Sequence, residues 1–258
     1  MKQEKGERVT IMRLKVQNLR FSYPGQEILR RLSFEAGDGE FVSILGPSGC
    51  GKSTLLNLLA GIRRPEEGSL FLDGRRVEWG EGSFAYMPQK DLLLPWRTIL
   101  DNVCLYGEIH HTKESMKGKA REQMARFGLE GCEEKYPHEL SGGMRQRAAF
   151  LRTTLCEAEI YLLDEPFGAL DVITRSDMQD WLKELCASLK KTILLVTHDT
   201  DEAIYLSDRI LVMGAPGEGI RCEIGITQKD RSREWLYRQG ELRSSIHKII
   251  KGETGDAY

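Results

Sequence analysis

The chain of 258 residues has no apolar run near the roughly 18 residues that a bilayer-spanning helix requires. Nor does the stretch Met1-Lys2-Gln3-Glu4-Lys5-Gly6-Glu7-Arg8 contain the apolar centre of a signal peptide. Any role at a membrane is therefore expected to run through a partner. An excess of basic charge is missing as well: 37 Lys and Arg stand against 39 Asp and Glu, a net charge of −2, so no nucleic-acid partner is expected. The six cysteines, at 50, 104, 132, 156, 186 and 222, form no Cys-x-x-Cys pair. They read as reduced thiols of a cytosolic protein.

What is present is concentrated at Gly46-Pro47-Ser48-Gly49-Cys50-Gly51-Lys52-Ser53-Thr54. The first glycine, four intervening residues and then Gly51-Lys52-Ser53 match a phosphate-binding P-loop. An apolar run of strand length, 41–45, precedes it, and Leu55, Leu56, Leu58 and Leu59 follow at helical spacing up to Gly61. The glycines allow positive φ and close approach to a ligand, so successive N–H groups can converge on phosphate oxygens at the positive end of a helix. Lys52 supplies a charge for the β and γ phosphates, and the Ser53 hydroxyl is suited to ligate Mg²⁺.

Length allows one large domain or a domain with a sub-domain. Residues 1–10 are polar and expected to fray. Strands are expected at 14–23 and 28–34 around Pro24-Gly25, then at 69–72 and 84–87, with a turn at Asp73-Gly74. Tyr23 reads on residue type alone as a half-buried strand tyrosine, and its place upstream of the P-loop also suits stacking on adenine. Gln89 stands just past a strand end. From about 90 to 157 the character changes to an apolar, proline-broken segment at 92–96 and helical patterns near 99–106 and 113–127, which reads as a helical insertion.

The insertion ends at Leu140-Ser141-Gly142-Gly143-Met144-Arg145-Gln146. Ser141 is a good N-cap, and the two glycines expose the first N–H groups of a helix spanning 144–155. By itself this is an ordinary capped helix. As a second anion site in a chain that already has a P-loop, it suits a nucleotide held by another subunit. The apolar run 160–163 ends in Asp164-Glu165-Pro166, two carboxylates suited to different work: Asp164 to hold Mg²⁺ and Glu165 to orient or deprotonate attacking water. A turn holding Asp171, a helix over 173–189 and a strand over 192–196 lead to His198. A lone histidine is more often structural, but one at this edge suits contact with a γ phosphate. Strands alternating with helices, with polar residues at their C-terminal ends, describe an open parallel α/β sheet.

Together, Gly46 to Thr54, Gln89, Leu140 to Gln146, Asp164-Glu165, Ala169-Leu170-Asp171 and His198 resemble the ATP-binding cassette family, in order and spacing, over nearly the whole chain. The resemblance implies an α/β P-loop NTPase (RecA-like) parallel-sheet core, an antiparallel β subdomain and an inserted α-helical subdomain. It implies an ATPase domain over 1–225; the remaining residues, 226–258, are highly charged and read as a helical extension with Trp235, Leu236, Ile246, Ile249 and Ile250 as helix-face anchors. It further implies ATP and Mg²⁺ as cofactors, Tyr23 stacking on adenine, and Lys52 and Ser53 on the phosphates and metal. Gln89 would sense Mg²⁺ and the transporter interface, while Ser141, Gly142 and Gly143 would meet the opposite subunit's ATP. Glu165 resembles the catalytic base, Asp171 the D-loop aspartate and His198 the switch histidine.

The stretches 87–98, 170–175 and 197–203 are similar to importer ATPases for nitrate, sulfonate, taurine or thiamine-precursor pyrimidines. The partners so implied are a second ATPase subunit, an integral-membrane permease and, indirectly, an extracytoplasmic solute-binding protein, with the chain at the cytoplasmic face of the membrane. Residues 151–155 depart mildly from the family's run, away from the carboxylates. Two other readings compete. A soluble cassette ATPase acting on ribosomes or DNA would be expected to carry a second cassette or a long coiled-coil insertion. A P-loop kinase would leave Leu140 to Gln146 and His198 without a task.

Overall fold

The structure is a computed structural model and describes residues 12–81, 84–228 and 230–253. The expected fraying of residues 1–10 lies outside the described residues. β1 (Met12–Tyr23) and β2 (Gln26–Gly37) form an antiparallel hairpin, with Tyr23 paired to Gln26 across the Pro24-Gly25 turn. β4 (Glu67–Leu72) pairs antiparallel with β1, and the short β5 (Arg75–Val77) pairs with β4 across the expected Asp73-Gly74 turn, giving a sheet in the order β2-β1-β4-β5.

The second sheet has six strands in the order β10-β9-β3-β8-β7-β6. These are β3 (Phe41–Leu45), β6 (Phe84–Met87), β7 (Ile160–Asp164), β8 (Thr192–Val196), β9 (Arg209–Met213) and β10 (Ile220–Gly225). Neighbours from β9 to β6 run parallel, and only β10 is antiparallel to its partner. The parallel order brings the C-terminal ends of β3, β6, β7 and β8 to one edge.

The central strands β3, β7 and β8 are buried along their whole length and mostly apolar, because both sheet faces are covered. In β3, Val42 and Ile44 face one core, with α1 (Lys52–Leu59) and the antiparallel sheet, while Phe41 and Leu45 face the other, with the remaining helices. Strand alternation repeats this division in β8, where Leu194 and Val196 join the first core and Ile193 and Leu195 the second. Leu55, Leu56, Leu58 and Leu59 of α1 are all buried in the first core, each worth roughly 1.5–3 kcal/mol of burial.

The insertion between β6 and β7 comprises α2 (Ile99–Val103), α3 (Leu105–Ile109), α4 (Lys113–Met124) and α5 (Gly142–Thr154). The helical pattern expected over 99–106 divides at Cys104 into α2 and α3. Buried Asn102 braces the preceding loop: its amide donates to the carbonyls of Leu94, Arg97 and Thr98, and its oxygen accepts from Leu94 N–H. That bracing leaves Leu92 and Trp96 exposed. After α6 (Val172–Leu189) and α7 (Thr200–Leu206), the chain ends in α8 (Arg233–Tyr237) and α9 (Gly240–Lys251). Leu236 and Ile246 are buried in the second core, with Trp235, Ile249 and Ile250 partly buried against it.

Candidate nucleotide site at the sheet edge

The P-loop joins β3 to α1, and its shape depends on residues without side chains. Gly51 has φ +108°, and a Cβ there would lie 2.6 Å from Ile28 Cγ2. Gly49 also has a positive φ, +78°. No side chain caps the N-terminus of α1, so its first N–H groups remain available to a ligand. Lys52 is buried against the loop, its Nζ donating to Gly46 O at 2.8 Å and Pro47 O at 3.0 Å. The ammonium thus sits inside the curve of the loop.

Beside the loop, Ser53 Oγ donates to Asp164 Oδ1 at 3.0 Å, and Tyr86 on the neighbouring strand donates to Asp164 Oδ2 at 3.2 Å. Burial raises the Asp164 carboxyl above its ordinary range, while the hydrogen bonds from Ser53 and Tyr86 oppose the rise. Burial likewise raises the Tyr86 phenol, which keeps it a donor. A hydroxyl and a carboxylate are hard oxygen ligands of the kind Mg²⁺ takes. Among the described residues no group of three or more His, Cys, Asp and Glu could hold a metal ion. Mg²⁺ takes few protein ligands where phosphates and water supply the rest.

Glu165 leaves the end of β7 in a left-handed conformation, φ +45°, with its N–H donating to Val196 O at 2.9 Å. Its Oε2 receives two residues from adjacent strand ends: Gln89 Nε2 donates at 3.1 Å, and His198 Nδ1 lies at 3.2 Å. Three residues singled out in the sequence, following β6, β7 and β8, therefore meet at one carboxylate oxygen.

Tyr23 is half-buried, its phenol 3.5 Å from Thr54 Oγ1 and its ring edge-on to Phe21. The Arg63 guanidinium lies 5.1 Å from the ring centroid. Ser141 caps α5 by accepting from Met144 N–H at 3.3 Å. Gly143 packs so closely on α6 that a Cβ would fall 2.9 Å from Thr174 Cγ2. Asp171 accepts from the N–H groups of Ile173 and Thr174, both at 3.1 Å, which caps α6; the Thr174 side chain first, then these N–H groups, hold its carboxyl below the usual range. Among the described residues, no hydrogen bond joins Ser141, Gly142, Gly143 or Asp171 to the P-loop of the same chain.

Sequence reading missed Tyr86 and Arg63. Tyr86 gains its partner only because β6 pairs in register with β7, and nothing in the residue order announces Arg63 over Tyr23. Arg175 was also missed; its guanidinium donates to Leu170 O at 3.0 Å and lies 3.9 Å from Asp199, so it spans the turn before α6 and the segment after His198.

Residues 29–168 match the family model described as ABC transporter. The chain is 43% identical over 242 residues to the formylaminopyrimidine import ATP-binding protein ThiZ of Halalkalibacterium halodurans, covering 92% of this chain and 94% of that one. It is 42% identical over 193 residues to the aliphatic sulfonates import ATP-binding protein SsuB of Bacillus anthracis, covering 74% and 76%. The dimeric structure of MJ0796, a bacterial ABC transporter cassette, superposes with a TM-score of 0.71 at 30% identity, covering 83% of this chain and 99% of that one.

Proposed function

The chain belongs to the ABC transporter family, whose ATP-binding proteins hydrolyse ATP to drive transport, and from that premise we propose that it is the nucleotide-binding subunit of an importer. The observation that carries the proposal is the meeting of Gln89 and His198 at Glu165 Oε2, beside Asp164 and Ser53. Glu165 accepts the proton of attacking water. His198 orients that water and the γ phosphate, and Gln89 ties the same carboxylate to the segment carrying exposed Leu92 and Trp96. Lys52 and the backbone N–H groups of residues 48–54 hold the β and γ phosphates, and the ring of Tyr23 stacks on adenine. Bound Mg²⁺, held by Ser53, Asp164 and Gln89, would neutralise phosphate charge.

Two copies pack head to tail, so that Ser141, Gly142 and Gly143 of one complete the site of the other, with Asp171 at the shared boundary. Three features support this. Ser141 is exposed, the glycine-rich start of α5 makes no bond to its own P-loop among the described residues, and a related cassette is dimeric. Closure on ATP and reopening after hydrolysis turn the chemistry into rigid-body motion, passed to a permease through the insertion at about 90–157. Residues 1–225 form the ATPase domain and 226–258 the extension. The chain works at the cytoplasmic face of the membrane, and the solute is a small polar molecule of the formylaminopyrimidine, sulfonate or nitrate kind, delivered to the permease by a solute-binding protein.

Affinity purification of the tagged chain in mild detergent tests this reading. A multi-span permease in stoichiometric yield is expected. Recovery of ribosomes or DNA instead would favour a soluble ATPase.

A further inference from the structure

Arg233, at the first position of α8, makes three directed bonds to α6: Nη1 to Gln179 Oε1 at 2.8 Å, Nε to Asp180 Oδ1 at 3.0 Å and Nη2 to Ser176 O at 2.6 Å. Its guanidinium also stacks over Tyr205, 4.2 Å from the ring centroid. The bond to Gln179 leads inward. Gln179 is buried, and its Nε2 donates to Glu202 Oε1 at 3.2 Å. Glu202, on α7 and 4% exposed, accepts at Oε2 from Thr197 Oγ1 at 2.5 Å. Thr197 Oγ1 in turn accepts from the Asp199 N–H at 3.0 Å.

Each link in this chain has only one direction. A guanidinium only donates, so the oxygen of Gln179 must face Arg233 and its NH₂ must face Glu202. Above about pH 7, where burial no longer keeps Glu202 protonated, its carboxylate only accepts, so the single hydroxyl proton of Thr197 points to Glu202 and its lone pair is left for Asp199 N–H. The residue enclosed by those last two bonds is His198, whose ring meets Glu165 at 3.2 Å. Arg233 and Glu202 enforce the same orientation of the Gln179 amide from its two ends, and without Arg233 only Glu202 holds it. A flipped amide would set its oxygen against the buried carboxylate, and Thr197 would be the first group to shift.

We propose that Arg233 is a positioning residue for hydrolysis: acting through Gln179, Glu202 and Thr197, the C-terminal segment holds the His198 loop in register with Glu165. The proposal rests on the reading of His198 and Glu165 given above, and its test separates the two. In the full-length chain, Arg233→Gln lowers kcat about 3- to 10-fold while ATP affinity, measured by calorimetry, stays within about twofold. Arg233→Lys, which still donates to Gln179, recovers most of the rate. Glu202→Gln combined with Arg233→Gln costs no more than the worse single change, since both break one chain. Hydrogen exchange at the Asp199 to Glu202 amides quickens in Arg233→Gln whatever the rate of hydrolysis.

The control is Arg221→Gln, which frees the carbonyls of Ile249 and Ile250 at the end of α9 without touching the chain, and it hydrolyses as the wild type does. Wild-type kcat with unchanged exchange in Arg233→Gln overturns the proposal, and so does an equal loss in Arg221→Gln. Wild-type turnover in Glu165→Gln would instead overturn the assignment of the base, while the exchange measurement would still decide whether Arg233 orders the loop.

Discussion

The Tyr86 phenol and the Asp164 carboxylate, on adjacent parallel strands, share a hydrogen bond of 3.2 Å that leaves both Asp164 oxygens engaged, the other by Ser53. Tyr86→Phe keeps the ring and removes the donor. The change is expected to cost about 1 kcal/mol of stability, as for a typical internal hydrogen bond. It should also raise the Mg²⁺ concentration for half-maximal hydrolysis a few-fold, because Asp164 loses one of its two anchors. Denaturant melts and a Mg²⁺ titration of ATPase activity check the two effects separately.

Glu165→Gln retains size and shape but cannot take a proton. Loss of a general base lowers turnover about 10²- to 10⁴-fold, with ATP binding preserved. His198→Ala is expected to bind ATP and hydrolyse poorly, since it removes one of two side chains fixing Glu165 Oε2. Single-turnover hydrolysis beside equilibrium binding checks both variants, and near-wild-type turnover by Glu165→Gln would exclude it as the base.

Lys52→Ala removes the ammonium from the curve of the P-loop. A charge-assisted bond to phosphate contributes roughly 1.5–3 kcal/mol, so ATP affinity should fall about 10- to 100-fold. The buried carbonyl of Gly46 and the partly exposed one of Pro47 each lose a donor, so stability should also fall, by about 1–3 kcal/mol. Calorimetric titration and a melt distinguish the two quantities.

Burial pushes the Glu202 carboxyl up to about 7, with the nearby Asp199 charge acting in the same direction and Thr197, Arg175 and Gln179 opposing it. In the pH range between the ordinary carboxylate value and about 7, the folded state therefore holds a proton that the unfolded chain has lost. Stability falls as pH rises through that window, by roughly 3 kcal/mol in all, and is level above it. Asp164 is shifted the same way and contributes with the same sign. Glu202→Gln removes only its own share, so urea melts at pH 5 and pH 7.5 should differ less for the variant than for the wild type.

Much of the fold was legible because local and tertiary preferences agree. The apolar runs 41–45, 84–87 and 192–196 are strands at those limits because a parallel sheet covered on both faces needs continuous apolar strands. Ser141 caps α5 as its residue type suggests. The reading passed over β5, β9 and β10. The run Ile210 to Met213 was a fair signal for β9, whereas Arg75–Val77 is too short and charged to announce a strand. Site residues carried by the P-loop or by strand ends were readable from their neighbours in sequence. Tyr86 and Arg233 were not, because their partners lie 78 and 54 residues away and are brought close only by folding.

The left-handed backbone at Glu165 carries a further consequence. A residue with a Cβ held at φ +45° costs on the order of 1–2 kcal/mol that glycine at the same place would not. The turn would therefore be more stable with glycine there, and the carboxylate is kept against that gradient. With Glu165 in the proposed role of base, durability and turnover pull in opposite directions at position 165, and selection for thermal robustness alone would drive this chain toward a sturdier protein that no longer hydrolyses its nucleotide.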